Sequence, residues 1–206
     1  MLPCRQKRTK TIKQQLLRLL PLPLLRRKRA EKALQLAFEF LPRAYRNGYD
    51  IKARDKMHRA SCLAGMAFSL VNLGLNHGIA HALGAIFHIP HGRANALVLV
   101  PVIEFNADVA REAAKHSSDA AKKYQAIARI IGLPASTPKI GIANLLAEID
   151  RLMKYMDRPR CITECGISLE EFEANRDEII NRAMADACTQ ASPLILRTFP
   201  TEKNMT

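Results

Sequence analysis

Residues 60–92 read ASCLAGMAFSLVNLGLNHGIAHALGAIFHIPHG, a run without a single Lys, Arg, Asp or Glu. On length alone such a run can cross a bilayer. It also contains His77, His81, His88 and His91, two Asn and five Gly, with Pro90 near its end. Polar groups at that density are expensive in hydrocarbon. The stretch therefore reads as a pair of buried core helices with a histidine-bearing face, in a soluble protein. The first, Lys52 to Leu73, starts charged and finishes apolar all round, as a central helix does. The second, His77 to Phe87, precedes the turn from His88 to Gly92.

The flanks continue the helical pattern. Upstream, Ala30 to Tyr45 is amphipathic, with Leu34, Phe38 and Leu41 on one stripe. Asn47-Gly48 ends it with residues that tolerate left-handed dihedrals. Downstream, Ala94 to Phe105 is apolar enough for a strand, although Pro101 argues against a central one. Ser117 to Ile131 is helical and stopped by Gly132-Leu133-Pro134. Thr137 followed by Pro138 is an N-cap with proline at the first helical position, opening a helix to about Met156. Ser168 with Glu171 is a capping box for a last long helix ending near Cys188. With no Trp, 5% aromatic residues and no long alternating stretches, a β-sandwich or barrel is not supported. The fold class is all-α, a helical bundle.

Charge is localised. The 206-residue chain carries a net charge of +13, yet ten of its 32 basic residues and none of its 19 acidic ones fall in residues 1–30. The remainder holds 22 basic and 19 acidic groups, a net of only +3. A basic prefix, residues 1–29, thus precedes a nearly neutral helical domain, residues 30–200. The prefix imitates an organellar presequence, and Leu16 to Leu25 faintly imitates a signal-peptide core. Arg18, Pro21 and Pro23 interrupt that core and no small-x-small cleavage site comes after it. Disorder or irregular structure is expected there. Its charge suits nucleic acid or an anionic membrane surface. It lacks interleaved aromatics for base stacking, and the two prolines spoil a long surface helix, so neither contact is expected.

Five cysteines, an odd number without dense spacing, fit reduced thiols in a cytosolic protein. Cys161 and Cys165 have the spacing of half a zinc site, with no second Cys or His pair close by.

The four histidines carry the chemistry. His77 and His81 are four apart and share a helical face, and His91 sits in a Pro-His-Gly turn. Neutral imidazoles converging from a helix and the following turn suit Fe, Zn, Co or Ni. Core histidines bonded to carbonyls would have the same spacing, and no Asp or Glu lies in the stretch to complete a coordination sphere. Both readings stand on the residues alone.

A resemblance separates them. Leu63 to Ser69, Gly74-Leu-Asn-His77-Gly-Ile-Ala-His81-Ala-Leu-Gly84 and His88-Ile-Pro-His91-Gly-Arg-Ala-Asn95 closely resemble the iron-containing (group III) alcohol dehydrogenases. Leu41 to Ala44, Asn47-Gly48, Asp50, Ala53-Arg54 and Met57 are similar to the helix preceding that signature, and Val102 to Asn106 to the segment after it. Ile131 to Pro134 and Asp186-Ala-Cys-Thr189 are similar to the family's C-terminal region. Asn76-His77 and the segment from His88 to Asn95 look most like the propanol and ethanolamine-utilisation branch. The likeness runs from about Ala30 to about Pro193.

The resemblance implies a metal-binding helical domain in which His77 and His91 hold Fe(II), or Zn in its place. It implies that His81 lies beside the nicotinamide and substrate as the proton-handling, cofactor-contacting residue, and that Phe68 walls the substrate pocket. The implied reaction interconverts short-chain primary alcohols and aldehydes with NAD(P). Two further ligands, an Asp and a His from an Asp-Ala-Leu-Thr-His-like motif, have no counterpart in these 206 residues, and neither does a glycine-rich dinucleotide turn. The expectation is a truncated reading frame, inactive as an isolated chain, with a homodimer as one state for its exposed face. The alternative is a helical binding or structural module whose basic tail contacts nucleic acid or anionic membrane. The expected location is the bacterial cytoplasm, with association with a microcompartment as the narrower option.

Overall fold

The first helix starts earlier than the sequence suggests. In the computed structural model, which describes residues 22–69, 73–107 and 118–189, helix α1 spans Leu22–Arg46. Residues 22–29, expected to be irregular, are helical. Pro23 lies in the first turn, where its missing N–H has no intrahelical acceptor to lose. Residues 1–21, most of the basic prefix for which no nucleic-acid or membrane contact is expected, fall outside the described residues. After Arg46 the chain turns without a left-handed residue, contrary to expectation. Asn47 instead accepts the Tyr49 N–H on its side-chain oxygen at 2.9 Å.

Helix α2, Ile51–Phe68, is capped by Asp50, whose carboxylate accepts the Ala53 N–H at 2.9 Å. That bond, with the Arg43 guanidinium 2.8 Å away, holds the Asp50 carboxyl below the usual carboxylate range. Leu36 and Phe40 of α1 pack on Ala53 and Ala60 of α2, with Met57 and Leu63 beside them. The two helices form the described part of one unit, residues 1–70, and residues 71–206 form a second.

The second unit is built on α3, Leu75–Phe87, and α4, His91–Ala107. Leu75, Ala80, Ala82 and Leu83 of α3 meet Ala94, Val98 and Val102 of α4 in its largest apolar cluster. Helix α4 resolves the ambiguity of Ala94 to Phe105 against the strand. Its buried positions Ala94, Val98, Val102 and Asn106 recur every four residues, a helical stripe that β-branched side chains disguised. Pro101 lies inside it, leaving the Leu97 carbonyl without its usual N–H partner.

Helices α5, Asp119–Ile130, and α6, Pro138–Tyr155, form a hairpin. Gly132 is left-handed at φ 83, as its role as a stop requires, and Thr137 caps α6 through the Ile140 N–H with Pro138 next. Gln125 spans the connection by donating to the carbonyls of Ala135 and Ser136 at 2.9 and 3.2 Å.

A short 3-10 turn at Thr163–Cys165 leads to the capping box, and Ser168 accepts the Glu171 N–H as read from sequence. The single long helix expected after it is two: α7, Leu169–Ala174, and α8, Arg176–Ala185. Asn175 makes the break. Its side-chain amide donates to the Glu171 carbonyl at 2.8 Å, taking the acceptor that its own backbone N–H needs to continue the helix.

Helix α8 lies against α3, and Gly78 makes the contact possible. A Cβ at that position would stand 1.9 Å from Thr189 Oγ1 and 3.1 Å from the Ala183 carbonyl. The Thr189 hydroxyl is fixed there by donating to that same carbonyl at 2.6 Å. All regular structure among the described residues is helical, and no helix among them is long and apolar enough to cross a membrane.

Gly78→Ala should lower stability by about 1–3 kcal/mol, because the helices must separate or Thr189 must give up its bond. Gly48→Ala, where an added Cβ meets no atom within 4 Å, should stay within about 0.5 kcal/mol. Urea-unfolding midpoints of the two variants check the difference.

Candidate metal centre

Three of the four clustered histidines converge. His77 and His81 stand one turn apart on α3, and His91 opens α4. Their ring centroids are 6.0 Å apart for His77 and His81, 5.4 Å for His77 and His91, and 5.3 Å for His81 and His91. The reversal between the helices brings His91 back. His88 adopts the left-handed conformation at φ 56 and ends α3, Ile89 buries its side chain, and the Pro90 carbonyl accepts the Arg93 and Ala94 N–H groups. His88 is thereby spent on the turn, outside the imidazole cluster.

Two asparagines brace the pair of helices. Asn76, next to His77, donates through Nδ2 to Asn95 Oδ1 at 2.8 Å and to the Asn95 carbonyl at 3.2 Å. Asn95 in turn donates to the His91 carbonyl at 3.0 Å, with its amide nitrogen 3.2 Å from the His91 ring. The position of one ligand-bearing helix is thus tied to the other beside both imidazoles. In the sequence, Asn76 and Asn95 stand out only through their likeness to a family branch.

The electrostatics favour a neutral His77 ring. Burial pushes the His77 pKa below the usual imidazole value, and the neighbouring His91 and His81 push it further, with Asp186 partly opposing. A neutral imidazole is the form that offers a lone pair to a cation. His77, held toward the uncharged form, and His91, 5.4 Å away between ring centroids, offer nitrogen donors that suit a borderline-soft divalent metal.

The carboxylate missing from residues 60–92 comes from far along the chain. Asp186 lies 2.8 Å from His81 Nδ1 through Oδ2, and the Cys188 N–H donates to its Oδ1 at 2.7 Å. Burial raises the Asp186 carboxyl, but the His81 and Cys188 hydrogen bonds outweigh it and hold the group below the usual carboxylate range. Asp186 was not among the site residues read from sequence, although Asp186-Ala-Cys-Thr189 had been noted as family-like.

The remaining sequence candidates are Phe68, Cys161 and Cys165. Phe68 is the last residue of α2, in the first unit, with 45% of its surface exposed. Cys161 is exposed, its sulfur 3.1 Å from the Thr163 hydroxyl, and Cys165 leans on the apolar cluster. Among the described residues no third ligand gathers with them, so the half zinc site is not built. The described cysteines are all free thiols, as expected.

Asn76→Ala removes the brace and leaves the Asn95 side-chain oxygen without its donor. A loss of about 1–3 kcal/mol in chemical unfolding is expected.

Comparison with known proteins identifies the family. Residues 27–198 match the Fe-containing alcohol dehydrogenase family, C-terminal. The 1-propanol dehydrogenase PduQ of Salmonella typhimurium is 43% identical over 170 residues, covering 80% of this chain and 43% of that protein. The NADPH-dependent butanol dehydrogenase of Clostridium saccharobutylicum is 40% identical, covering 80% and 39%. Among solved structures, an alcohol dehydrogenase from Oenococcus oeni superposes with a TM-score of 0.72 at 28% identity, over 85% of this chain and 42% of that one. A 1,3-propanediol oxidoreductase gives 0.71 at 28% identity, over 82% and 41%. The chain thus spans about two fifths of the length of these relatives. Together with the helical fold, the match over residues 27–198 means that this chain belongs to the Fe-containing alcohol dehydrogenase family, in its C-terminal region.

Proposed function

We propose that this chain supplies the metal-binding half of an alcohol dehydrogenase acting on short-chain primary alcohols and aldehydes. The observation that carries the reading is the convergence of His77, His81 and His91 within 5.3–6.0 Å of one another across a helix reversal. His77 and His91 are the residues that would hold Fe(II), with Zn as the alternative ion. His81 is the proton-handling residue beside the substrate and NAD(P), and Phe68 a wall of the substrate pocket. When bound, the metal supplies a Lewis acid for the alcohol oxygen and NAD(P) accepts the hydride.

The chain's own residues do the rest. Asn76 and Asn95 hold the two ligand-bearing helices in register, and burial keeps His77 uncharged and ready to bind a cation. The substrate class is supported by the 1-propanol and butanol named for the relatives. A cytoplasmic setting fits the free thiols and the absence of a membrane-length helix among the described residues. A microcompartment and a homodimer are narrower readings of the same kind.

Two protein ligands bind a metal more weakly than four, because each missing ligand removes enthalpy and preorganisation. Anaerobic loading with Fe(II) or Co(II) should therefore give weak but saturable binding, lost in both His77→Ala and His91→Ala. Metal analysis and the cobalt absorption spectrum check it. Binding that survives both substitutions would overturn the assignment.

The 206-residue chain by itself should not reduce NAD or NADP with 1-propanol. Steady production of the reduced nucleotide by clean protein would show that these residues suffice for turnover.

A further inference from the structure

The Asp186 carboxylate is held more firmly than an ordinary partner of a surface histidine. One oxygen faces His81 Nδ1 at 2.8 Å, and the other accepts the Cys188 N–H at 2.7 Å. The turn that carries it is closed by the Thr189 N–H on the Asp186 carbonyl at 3.1 Å. Thr189 is also locked by its bond to Ala183 and by the space at Gly78 into which its hydroxyl fits. Gly78 stands on the same helix as His81, three residues before it. Helix α3 therefore carries both the imidazole and the notch that anchors its carboxylate partner, and the geometry between them is set by backbone packing.

His81, Asp186 and Cys188 also place one ligand atom each within 4.8 Å of one another, a spacing a cation could bridge. The chemistry runs against that use. Both carboxylate oxygens already accept hydrogen bonds, and the Cys188 thiol is kept protonated by burial and by Asp186. A protonated thiol is a poor metal ligand. The group is arranged to hold a proton.

We propose that Asp186 is the positioning residue of His81: its carboxylate accepts a hydrogen bond from Nδ1–H, fixes the ring's orientation and tautomer, and leaves Nε2 as the nitrogen open to a further proton. An ionised carboxylate can only accept, so the hydrogen of this contact belongs to the ring. The inference rests on the reading of His81 as the proton-handling residue. In that role Nε2 would take the alcohol proton as the O–H bond breaks, and NAD(P), when bound, would supply the hydride acceptor. The imidazolium produced is stabilised by the carboxylate on its other nitrogen, and the proton leaves Nε2 to solvent when the cycle closes. With the ring held, its stack on His91, tilted by 23° at 5.3 Å, is held as well.

The test reads the tautomer directly. Heteronuclear NMR of the ring nitrogens in the isotopically labelled full chain, metal-free and near pH ~8 where imidazoles are neutral, distinguishes Nδ1–H from Nε2–H. The His81 signals are those missing from His81→Gln. Wild-type His81 is expected to be mostly Nδ1–H, the reverse of a free histidine side chain. Asp186→Ala should return it to mostly Nε2–H, and Asp186→Glu should restore Nδ1–H, while the backbone amides of α3 and α8 stay in place. Should Asp186→Ala unfold, Asp186→Asn keeps the shape and the Cys188 contact, and should give a mixture of the two tautomers.

Wild-type His81 in the Nε2–H form overturns the proposal, as does unchanged Nδ1–H in the Asp186 variants. Cobalt loading keeps the two readings apart. Asp186 variants that bind cobalt like wild type agree with a positioning role, and variants that lose it make Asp186 a ligand and overturn the role. Wild-type chain that binds no cobalt overturns the metal assignment and leaves the tautomer result standing.

Discussion

The site depends on a missing side chain. Gly78 has no Cβ, and the Thr189 hydroxyl occupies part of the space one would fill. The close approach lets the turn after α8 reach α3 within one helical turn of His77 and His81. The hydroxyl that enters the notch is not left bare, because the Ala183 carbonyl accepts its proton at 2.6 Å. A serine could fill the same hydrogen bond but would lack the methyl that packs the notch. Valine would keep the bulk and lose the hydrogen bond to that carbonyl. The pairing of Gly78 with Thr189 thus joins the two ends of the second unit, and the contact of Asp186 with His81 is a consequence of it.

The carboxylate has to come from elsewhere. Residues 60–92 contain no Lys, Arg, Asp or Glu. Three imidazoles gathered there repel one another when protonated and are desolvated by the helices around them, so His77 is held toward the neutral form. Asp186 makes its hydrogen bond with His81 alone among the three rings. Its other oxygen accepts the Cys188 backbone N–H. One ring is paired with a carboxylate and two are left to a cation, so a single cluster holds two different kinds of chemistry.

Much of this was legible in the sequence, for reasons that can be named. Thr137-Pro138 and Ser168 with Glu171 fixed helix starts, because cap residues act through bonds to N–H groups two or three residues away. Gly132 marked a stop because only glycine adopts its φ of 83 without strain. Helix α4 was ambiguous because valine, leucine and isoleucine suit a strand and a buried helix alike, and the stripe from Ala94 to Asn106 emerges only when burial is known. The break at Asn175 depends on which of two donors wins the Glu171 carbonyl, a competition of local geometry that residue type does not decide. Asp186 escaped selection because 105 residues separate it from His81, and no spacing rule spans that distance.

Helical periodicity also failed to choose among the histidines. At about 100° per residue, His81, His88 and His91 would all fall within roughly 40° of the face bearing His77 on an unbroken helix. The rise decides differently: His91 would stand about 21 Å from His77 along the axis, too far to share an ion. The observed separation of the two rings is 5.4 Å. The interruption at His88, Ile89 and Pro90 makes the difference. A left-handed residue ends α3, a buried isoleucine pins the reversal, and proline lends its carbonyl to start α4. The same interruption removes His88 from the cluster by giving it the turn. Which histidines can meet a metal is therefore settled by where the helix breaks, and Pro90, one residue before His91, is the part of that break visible in the sequence itself.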